Sequence, residues 1–576
     1  MSRKRRQKQK GARGPRGTSG GADSTARGEP PATQPPDGEP EAPEAGKPRT
    51  VYDIVRENAE ALIVAVILAI IIRHFAVEAF EIPTGSMAPT LYGMNVLVDC
   101  PNCPTRYSVA IKTDSSSGRI VTPFSRQRVY RGPCATEKCA QELHSRRPGE
   151  FPFEPNIRIT CGGCGKPFNP DLEEGQFTTE DVLGFPARCP ICHHEFRATA
   201  EKGEVSGGNK ILVNKYAFAL ADPQRWDVIV FEFDQWKNYI KRLVGLPGER
   251  IQIFDGDLYR DGKILRKSEH GYVQDGMWLL VSDSDVEENG LNPVPAWSHL
   301  PTGGVSHWTR KQAGRSWTLN NAGAALPESL DYGRRFDNYV SYNNLAHGRK
   351  GKPRRVQVGD KKVAFRLTPL SGSGWVGAQI RDGDFTFQAR VPVGEPGEAV
   401  IERLVNENPR RPDLSPVPHP SASRAAAPYA LKPGETVEFS FENVDDRLAV
   451  RIGSDEILSL EYVSCEDVSS PSTANGELPQ HLRILGVAEA SFESIRVYQD
   501  LYYLSTTETA FGTQAWPGIT LGERQYLALG DNSASSSDGR YWKYVPEKNL
   551  MGKALLVFWP ARPDDWPHRF QWKFIR

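Results

Sequence analysis

Ile82-Pro83-Thr84-Gly85-Ser86-Met87-Ala88-Pro89-Thr90-Leu91 is the stretch from which the rest of the chain is read. Two prolines fix the backbone on either side of Ser86, and Gly85 lets a second backbone or a substrate come close. A serine held this way can present its hydroxyl as a nucleophile. Its own N–H and the Thr84 hydroxyl can converge on one spot, the arrangement an oxyanion hole requires. Alone, the segment also reads as a Pro/Gly/Ser loop after a helix. Its counterpart lies far along the chain, at Tyr239-Ile240-Lys241-Arg242-Leu243-Val244-Gly245-Leu246-Pro247-Gly248-Glu249. In a strand alternate residues share a face, so Lys241 projects with Tyr239 and Leu243, and Arg242 with Ile240 and Val244. A lysine between an aromatic and a leucine either snorkels to the surface or is a desolvated amine. Burial would take its pKa from about 10.4 towards neutrality, and a neutral amine can accept the Ser86 proton with no histidine.

Upstream, composition changes twice. The 576 residues carry 71 basic and 71 acidic side chains, so net charge gives no case for nucleic acid. Residues 1–50 are rich in Pro, Gly, Lys and Arg, with almost no large apolar side chain, and are expected to be a disordered cytoplasmic tail. Ala61–Ile72 carries no charge but is short against the roughly 20 residues needed to cross a bilayer. A helix over Asn58–Phe80 reaches that length, with its charges near the ends, and residues 51–80 are read as a transmembrane anchor. Twelve basic residues precede the apolar run, and after Arg73 the next is Arg106, so the N-terminus is expected inside and the remainder extracytoplasmic. The rival is a cleaved signal peptide, against which stands a nucleophile only fourteen residues beyond the run.

Eight of the nine cysteines fall between residues 100 and 200, as Cys100-x2-Cys103, Cys134-x4-Cys139, Cys161-x2-Cys164 and Cys189-x2-Cys192. Such pairs suit four-thiolate zinc, and eight ligands would close up to two structural sites with no open position. Spacing leaves consecutive and nested pairing both open. Disulfides are the alternative in an oxidising exterior. The segment 100–204 is therefore read as a zinc-ribbon-like insert, and Cys465 as a buried apolar residue.

From Lys210 the pattern is of strands: Lys210–Tyr216 entering a turn, then Trp226–Phe231 as a buried strand. A second insert, 271–500, reads as a β-sandwich, with alternating strands at Val363–Leu367, Phe385–Arg390, Val437–Phe441, Leu448–Ile452 and Phe492–Tyr498. Asn408–Pro428 reads as a loop, and Asp500–Leu504 as the return to the first sheet. Val437–Ile457 is similar to laminin-G or concanavalin-like sandwiches. That likeness would make the insert a carbohydrate binder with Asp445 and Asp446 as calcium or sugar ligands; both also read as turn formers.

Together, IPTGSMAPTL (82–91), VIVFEF (228–233), YIKRLVGLPGE (239–249), GDNSASSSDGR (530–540) and VPEKNLMGKALLVFWP (545–560) resemble the bacterial type I signal peptidases in the family's order. The resemblance covers residues 55–99, 205–270 and 500–562. It implies a mainly β catalytic core assembled from residues 81–99, 205–270 and 501–576. It implies a membrane-bound Ser/Lys endopeptidase, without a catalytic cofactor, that removes signal peptides after small residues from exported preproteins. On these positions Ser86 is the nucleophile and Lys241 the base, with Ser86 N–H and Thr84 as oxyanion donors. Ser536 would hydrogen-bond the lysine, supported by Asp538 and Arg540. Phe80, Ile82, Met87, Leu91, Tyr239 and Ile240 would line the shallow substrate pockets. The partners implied are preprotein signal peptides and membrane lipid, with protein or carbohydrate open for the second insert. The chain departs from the family at Ser533, where an arginine is usual, at Gly539, where a serine is usual, and at Trp226, where a glycine is usual. Two other readings compete: a non-catalytic cell-surface scaffold, and an autoproteolytic regulator whose N-terminus binds DNA, for which no helix-turn-helix is visible.

Overall fold

A computed structural model describes residues 51–71, 77–110, 125–133, 142–148, 159–160, 167–168, 178–200, 205–234, 237–287, 296–299, 306–311, 316–338, 356–383, 385–405, 417–418, 424–464, 481–509, 512–559 and 573–575. The expected disordered tail 1–50, the cysteines at 134, 139, 161, 164 and 465, and most of the Pro-rich 408–428 stretch lie outside the described residues.

Helix α1, Val51–Ile71, is the one long helix among them. Its first half carries Asp53, Arg56, Glu57 and Glu60, and an Arg56–Glu60 ion pair joins successive turns. Among the described residues no helix is long and apolar enough to cross a membrane. The expected helix reaching Phe80 is corrected: Val77–Glu81 is a strand, β1, paired antiparallel with Lys210–Asn214.

The nucleophile and lysine segments meet on one antiparallel sheet. Its further strands are β2 (Lys210–Asn214), β3 (Val228–Asp234), β4 (Lys237–Gly245), β5 (Gln525–Leu529), β6 (Val545–Pro546), β7 (Leu550–Trp559) and β8 (Lys573–Phe574). The order is β1-β2-β7-β3-β4-β5-β6, with β8 pairing β7. Strands distant in sequence therefore become neighbours, as β4 and β5 do through Arg242–Leu529 and Leu243–Ala528. The β-branched run Val228-Ile229-Val230 gives β3 a side chain to bury on each face. Val228 and Val230 pack with Ile82, Met87, Leu91 and Ile240, and Ile229 packs with Leu243, Tyr526 and Ala528.

The expected buried strand at 226–231 begins two residues later. Trp226 has φ 74°, in the left-handed region, and its ring is buried beside Val244, Ile251 and Tyr503. This accounts for the glycine usual at that position: the backbone there needs a conformation that side chains disfavour. The return at 500–504 is not a strand of the sheet. Leu501 and Tyr503 pack beside Trp226, and the Tyr503 N–H bonds Gly256 O at 3.2 Å.

Residues 279–499 contain two eight-stranded antiparallel sheets over one core. One is built around Lys361–Pro369, Val437–Val444 and Glu489–Gln499; the other around Trp375–Asp382, Phe385–Pro392 and His481–Val487. Phe365, Phe439 and Phe492 from the first face Ile380, Phe387 and Ile484 from the second. Asp445 and Asp446 have φ 49° and 57°, the turn between two strands. Their carboxylates are buried, and Lys267 from the other side of the junction ion-pairs with Asp445 and, at 2.9 Å, with Asp500.

Candidate active site and thiol centre

Ser86 sits in a single 3-10 turn, Gly85–Met87, whose geometry the prolines at 83 and 89 permit on either side. Ala88 N–H bonds Gly85 O at 3.1 Å and Leu91 N–H bonds Met87 O at 2.9 Å, so the loop is closed by its own backbone. A second clamp comes from the loop after β5. The Asn532 N–H bonds Ser86 O and its Nδ2 bonds Gly85 O, each at 3.0 Å. Gly530 is the close approach that this needs, since a Cβ there would lie 2.5 Å from Ser86 O.

Lys241, on β4 opposite Ile229 of β3, points at this turn. Its Nζ donates to Ser86 Oγ at 2.6 Å and to Ile240 O at 3.0 Å. The side chain is 3% exposed. Burial pulls the amine down to about 8; the Asp538 and Asp531 charges oppose that fall and Arg540 adds to it. The Tyr239 ring lies 5.7 Å from Nζ. A buried amine of depressed basicity against a serine hydroxyl can exchange a proton with it.

Thr84 is exposed, in extended backbone before the turn, and its side chain makes no bond to the turn's N–H groups. Ile82, Met87, Leu91 and Ile240 are buried in one cluster with Phe80 packed against it, whereas Tyr239 joins the cluster on the other face of the sheet. Met87 and Leu91 are fully enclosed, so they form the floor beneath the turn.

Ser536 is buried next to the Ser86 backbone at Gly530, but its Oγ has no hydrogen-bond partner, so the expected bond to Lys241 is not made. Asp538 and Arg540 do form a buried pair: Arg540 Nε donates to Oδ1 and Nη2 to Oδ2, both at 2.9 Å. Asp538 also accepts from Gly530 N–H at 3.1 Å, and Arg540 Nη2 reaches Ser533 O at 2.7 Å. Both departures in this wall have local reasons. Ser533 Oγ accepts from Leu504 N–H at 2.8 Å, and a Cβ at Gly539 would lie 2.4 Å from Leu527 Cδ1.

One pair that the sequence reading did not single out is Arg242–Asp531. The guanidinium donates through Nε to Oδ1 at 2.9 Å and through Nη2 to Oδ2 at 2.8 Å, fully buried. Thr90 Oγ1 and Tyr503 OH also donate to Asp531. Arg242 Nη1 donates to Trp226 O at 2.9 Å, which holds the unusual Trp226 backbone. The signal was the strand alternation: a charged residue projecting with Ile240 and Val244 needs a buried partner.

The profile of the signal peptidase, peptidase S26, family matches residues 55–118, 197–299 and 476–559. Over those segments the chain is similar to this family. It is 39% identical over 99 residues to "Signal peptidase I" of Bacillus caldolyticus, 17% of this chain and 53% of that protein. It is 43% identical over 56 residues to "Signal peptidase I V" of Bacillus subtilis, 10% and 33% of the two chains. The chain thus spans about half or less of the curated relatives it matches. Among solved structures it is similar to the carbohydrate binding module CBM66 from Bacillus subtilis. That likeness has a TM-score of 0.21 and 11% identity, over 35% of this chain and 93% of that one, and says nothing of what the chain binds.

Residues 119–196 and 300–475 fall between the matched segments. At the edges of the first gap, Cys100, Cys103, Cys189 and Cys192 come together, all four sulfurs within 4.8 Å of one another and buried. The first and last cysteine pairs therefore meet, the nested arrangement. Cys100 Sγ lies 3.5 Å from Cys192 Sγ and Cys103 Sγ 3.6 Å from Cys189 Sγ, too far for a disulfide bond. Four sulfurs held about 2.3 Å from a common zinc stand about 3.8 Å apart, so the donor set fits a tetrahedral ion. Both pairs close alike, Cys100 N–H bonding Thr105 O and Cys189 N–H bonding His194 O at 3.0 Å each. Burial pushes the Cys100 thiol up to about 12, and the Cys103 sulfur, accepting from Cys189 and Cys192, falls far below its ordinary value.

Proposed function

We propose that this chain is a membrane-bound signal peptidase I, a serine endopeptidase in which Ser86 attacks the peptide carbonyl and neutral Lys241 takes its proton. The observation that carries the reading is the 2.6 Å contact between a buried lysine amine and the serine hydroxyl. In the neutral amine that contact runs the other way, with Ser86 Oγ–H donating to Nζ. Ser86 N–H and the Thr84 hydroxyl stabilise the oxyanion, the leaving amine receives the proton from Lys241, and an acyl-enzyme remains on Ser86. Lys241 then deprotonates water for deacylation. The Asp538–Arg540 pair and the Asn532 clamp hold the wall and the turn in register, and Ser536 is a support position.

The substrates of this reading are preproteins cut after small residues, as the resemblance implies, with the apolar Phe80, Ile82 and Ile240 on the turn's side of the sheet as the candidate lining of the P1 and P3 pockets. Localisation at the cell membrane, N-terminus inside and catalytic residues outside, rests on the family and on the basic N-terminus. Zinc is structural in this reading: Cys100, Cys103, Cys189 and Cys192 would hold one ion, which neutralises thiolates that burial otherwise disfavours.

The test is a synthetic preprotein incubated with purified full-length chain, with Ser86→Ala and Lys241→Ala beside the wild type. Both variants are expected to lose cleavage by at least about 10³-fold while keeping their circular dichroism. Cleavage surviving in either variant contradicts the dyad.

A further inference from the structure

The thiol centre has two sides, and they belong to different parts of the molecule. Cys100-x2-Cys103 is the turn of the hairpin Asn95–Asp99/Arg106–Ala110, which is the direct continuation of the nucleophile loop. At its far end Ala110 packs against Ala88, two residues past Ser86, with Tyr92 alongside. Cys189-x2-Cys192 is the turn of a second hairpin, Thr178–Arg188/Glu195–Ala200.

That second turn is fastened to the sandwich. Arg188 Nη1 ion-pairs with buried Asp337 Oδ2 at 3.1 Å, and Arg188 Nη2 lies 3.0 Å from His193 Nδ1. The His193 Nε2 lies 3.1 Å from Val281 O, and Arg334 Nη1 donates to Ile191 O at 2.7 Å. Leu280 and Val286, on or beside the sandwich strand Leu279–Asp283, pack into the same apolar cluster as the four cysteines, Val96, Val98 and Val109.

We infer that the four-cysteine centre is a joint through which the sandwich positions the nucleophile: Asp337 and Val281 hold the Cys189–Cys192 turn, the shared ion holds the Cys100–Cys103 turn, and the hairpin behind it holds Ala88 and Ser86. Arg188, His193 and Asp337 are positioning residues in this scheme and touch no substrate. The Ser86 turn is then gripped from two directions, by Asn532 on the protease side and by this hairpin on the other. The inference rests on the protease reading only for its effect on rate. The connection between hairpin and sandwich stands apart from it.

The experiment compares full-length wild type, Asp337→Asn, Asp337→Glu and a chelator-treated wild type in three measurements: zinc per chain, hydrogen exchange of the amides of residues 96–110, and kcat and KM on a synthetic preprotein. Asp337→Asn is expected to keep its zinc while the 96–110 amides exchange about tenfold faster. Its kcat should fall tenfold to about a hundredfold with KM nearly unchanged, as for a nucleophile displaced rather than a weakened binding site. Asp337→Glu should recover part of both. Chelation should remove zinc and give the same two changes, which keeps the test alive if Asp337→Asn does not fold. Exchange of 96–110 at the wild-type rate in zinc-loaded Asp337→Asn overturns the joint, as does faster exchange with kcat unchanged. A wild-type chain that cuts no preprotein counts against the protease reading alone, and the exchange measurement then decides the joint.

Discussion

At the scale of single residues, Lys241 is a stability cost. Its amine sits at about 8 against an ordinary 10.5, so the folded chain binds the proton less tightly than the unfolded one. The penalty is full below about pH 8, shrinks as pH rises from there towards 10.5, and vanishes beyond. Its size is about 3 kcal/mol by linkage. Lys241→Met is therefore expected to unfold at a higher denaturant concentration than the wild type at pH 7, and the gain should be largely gone by pH 10.5. A variant less stable at pH 7 would show that the ammonium is favourably paired. Trp226 offers a second test. At a position with φ 74°, alanine keeps the backbone strain and glycine releases it. Both lose a large buried ring, at about 3–5 kcal/mol, but Trp226→Gly should be about 1 kcal/mol less damaging than Trp226→Ala, the reverse of the usual order. Equal or greater loss for glycine, measured by urea unfolding, would contradict the strain.

At the scale of elements, strand alternation was informative and helix extent was not. The alternation around Lys241 put Arg242 on the opposite side from it, and Arg242 is found on Asp531. The apolar run at 61–72 invited a long helix, but Val77–Glu81 is a partly exposed strand that finds its partner far along the chain in Lys210–Asn214. No local signal carries that pairing. The same limit applies to the junction where Lys267 enters the sandwich. Nothing near Lys267 in sequence announces that Asp445 and Asp500, 178 and 233 residues on, will enclose its ammonium. Lys267→Met should leave two buried carboxylates without their cation, at about 3–5 kcal/mol, visible as a lower unfolding midpoint. A midpoint at the wild-type value would mean that the pair is dispensable.

At the scale of the whole molecule, the sheet that carries Lys241 is interrupted twice and still closes, because each excursion leaves and returns between neighbouring parts of the structure. The first begins at the hairpin after Ser86 and ends near Val205–Ser206, which pairs with Asn95 and Val96. The second leaves after the Arg250–Arg260 hairpin and comes back at Tyr503, bonded to Gly256. The five motifs made the protease segments legible, and alternating strands made the sandwich legible. Which cysteines meet was not legible, since four equivalent pairs differ only in where the fold carries them. The Ser536 bond was expected from the resemblance and is absent: Ser536 Oγ is buried without a partner, and Lys241 Nζ bonds Ser86 Oγ and Ile240 O.

The most direct measurement of the central claim is the pH dependence of kcat/KM for preprotein cleavage by the full-length chain. With Lys241 as the base, it should rise about tenfold per pH unit on the acid side and level off above an apparent pKa near 8. A profile that is flat through that range, or one that levels off near pH 4 as for a carboxylate base, would contradict a lysine acting on Ser86.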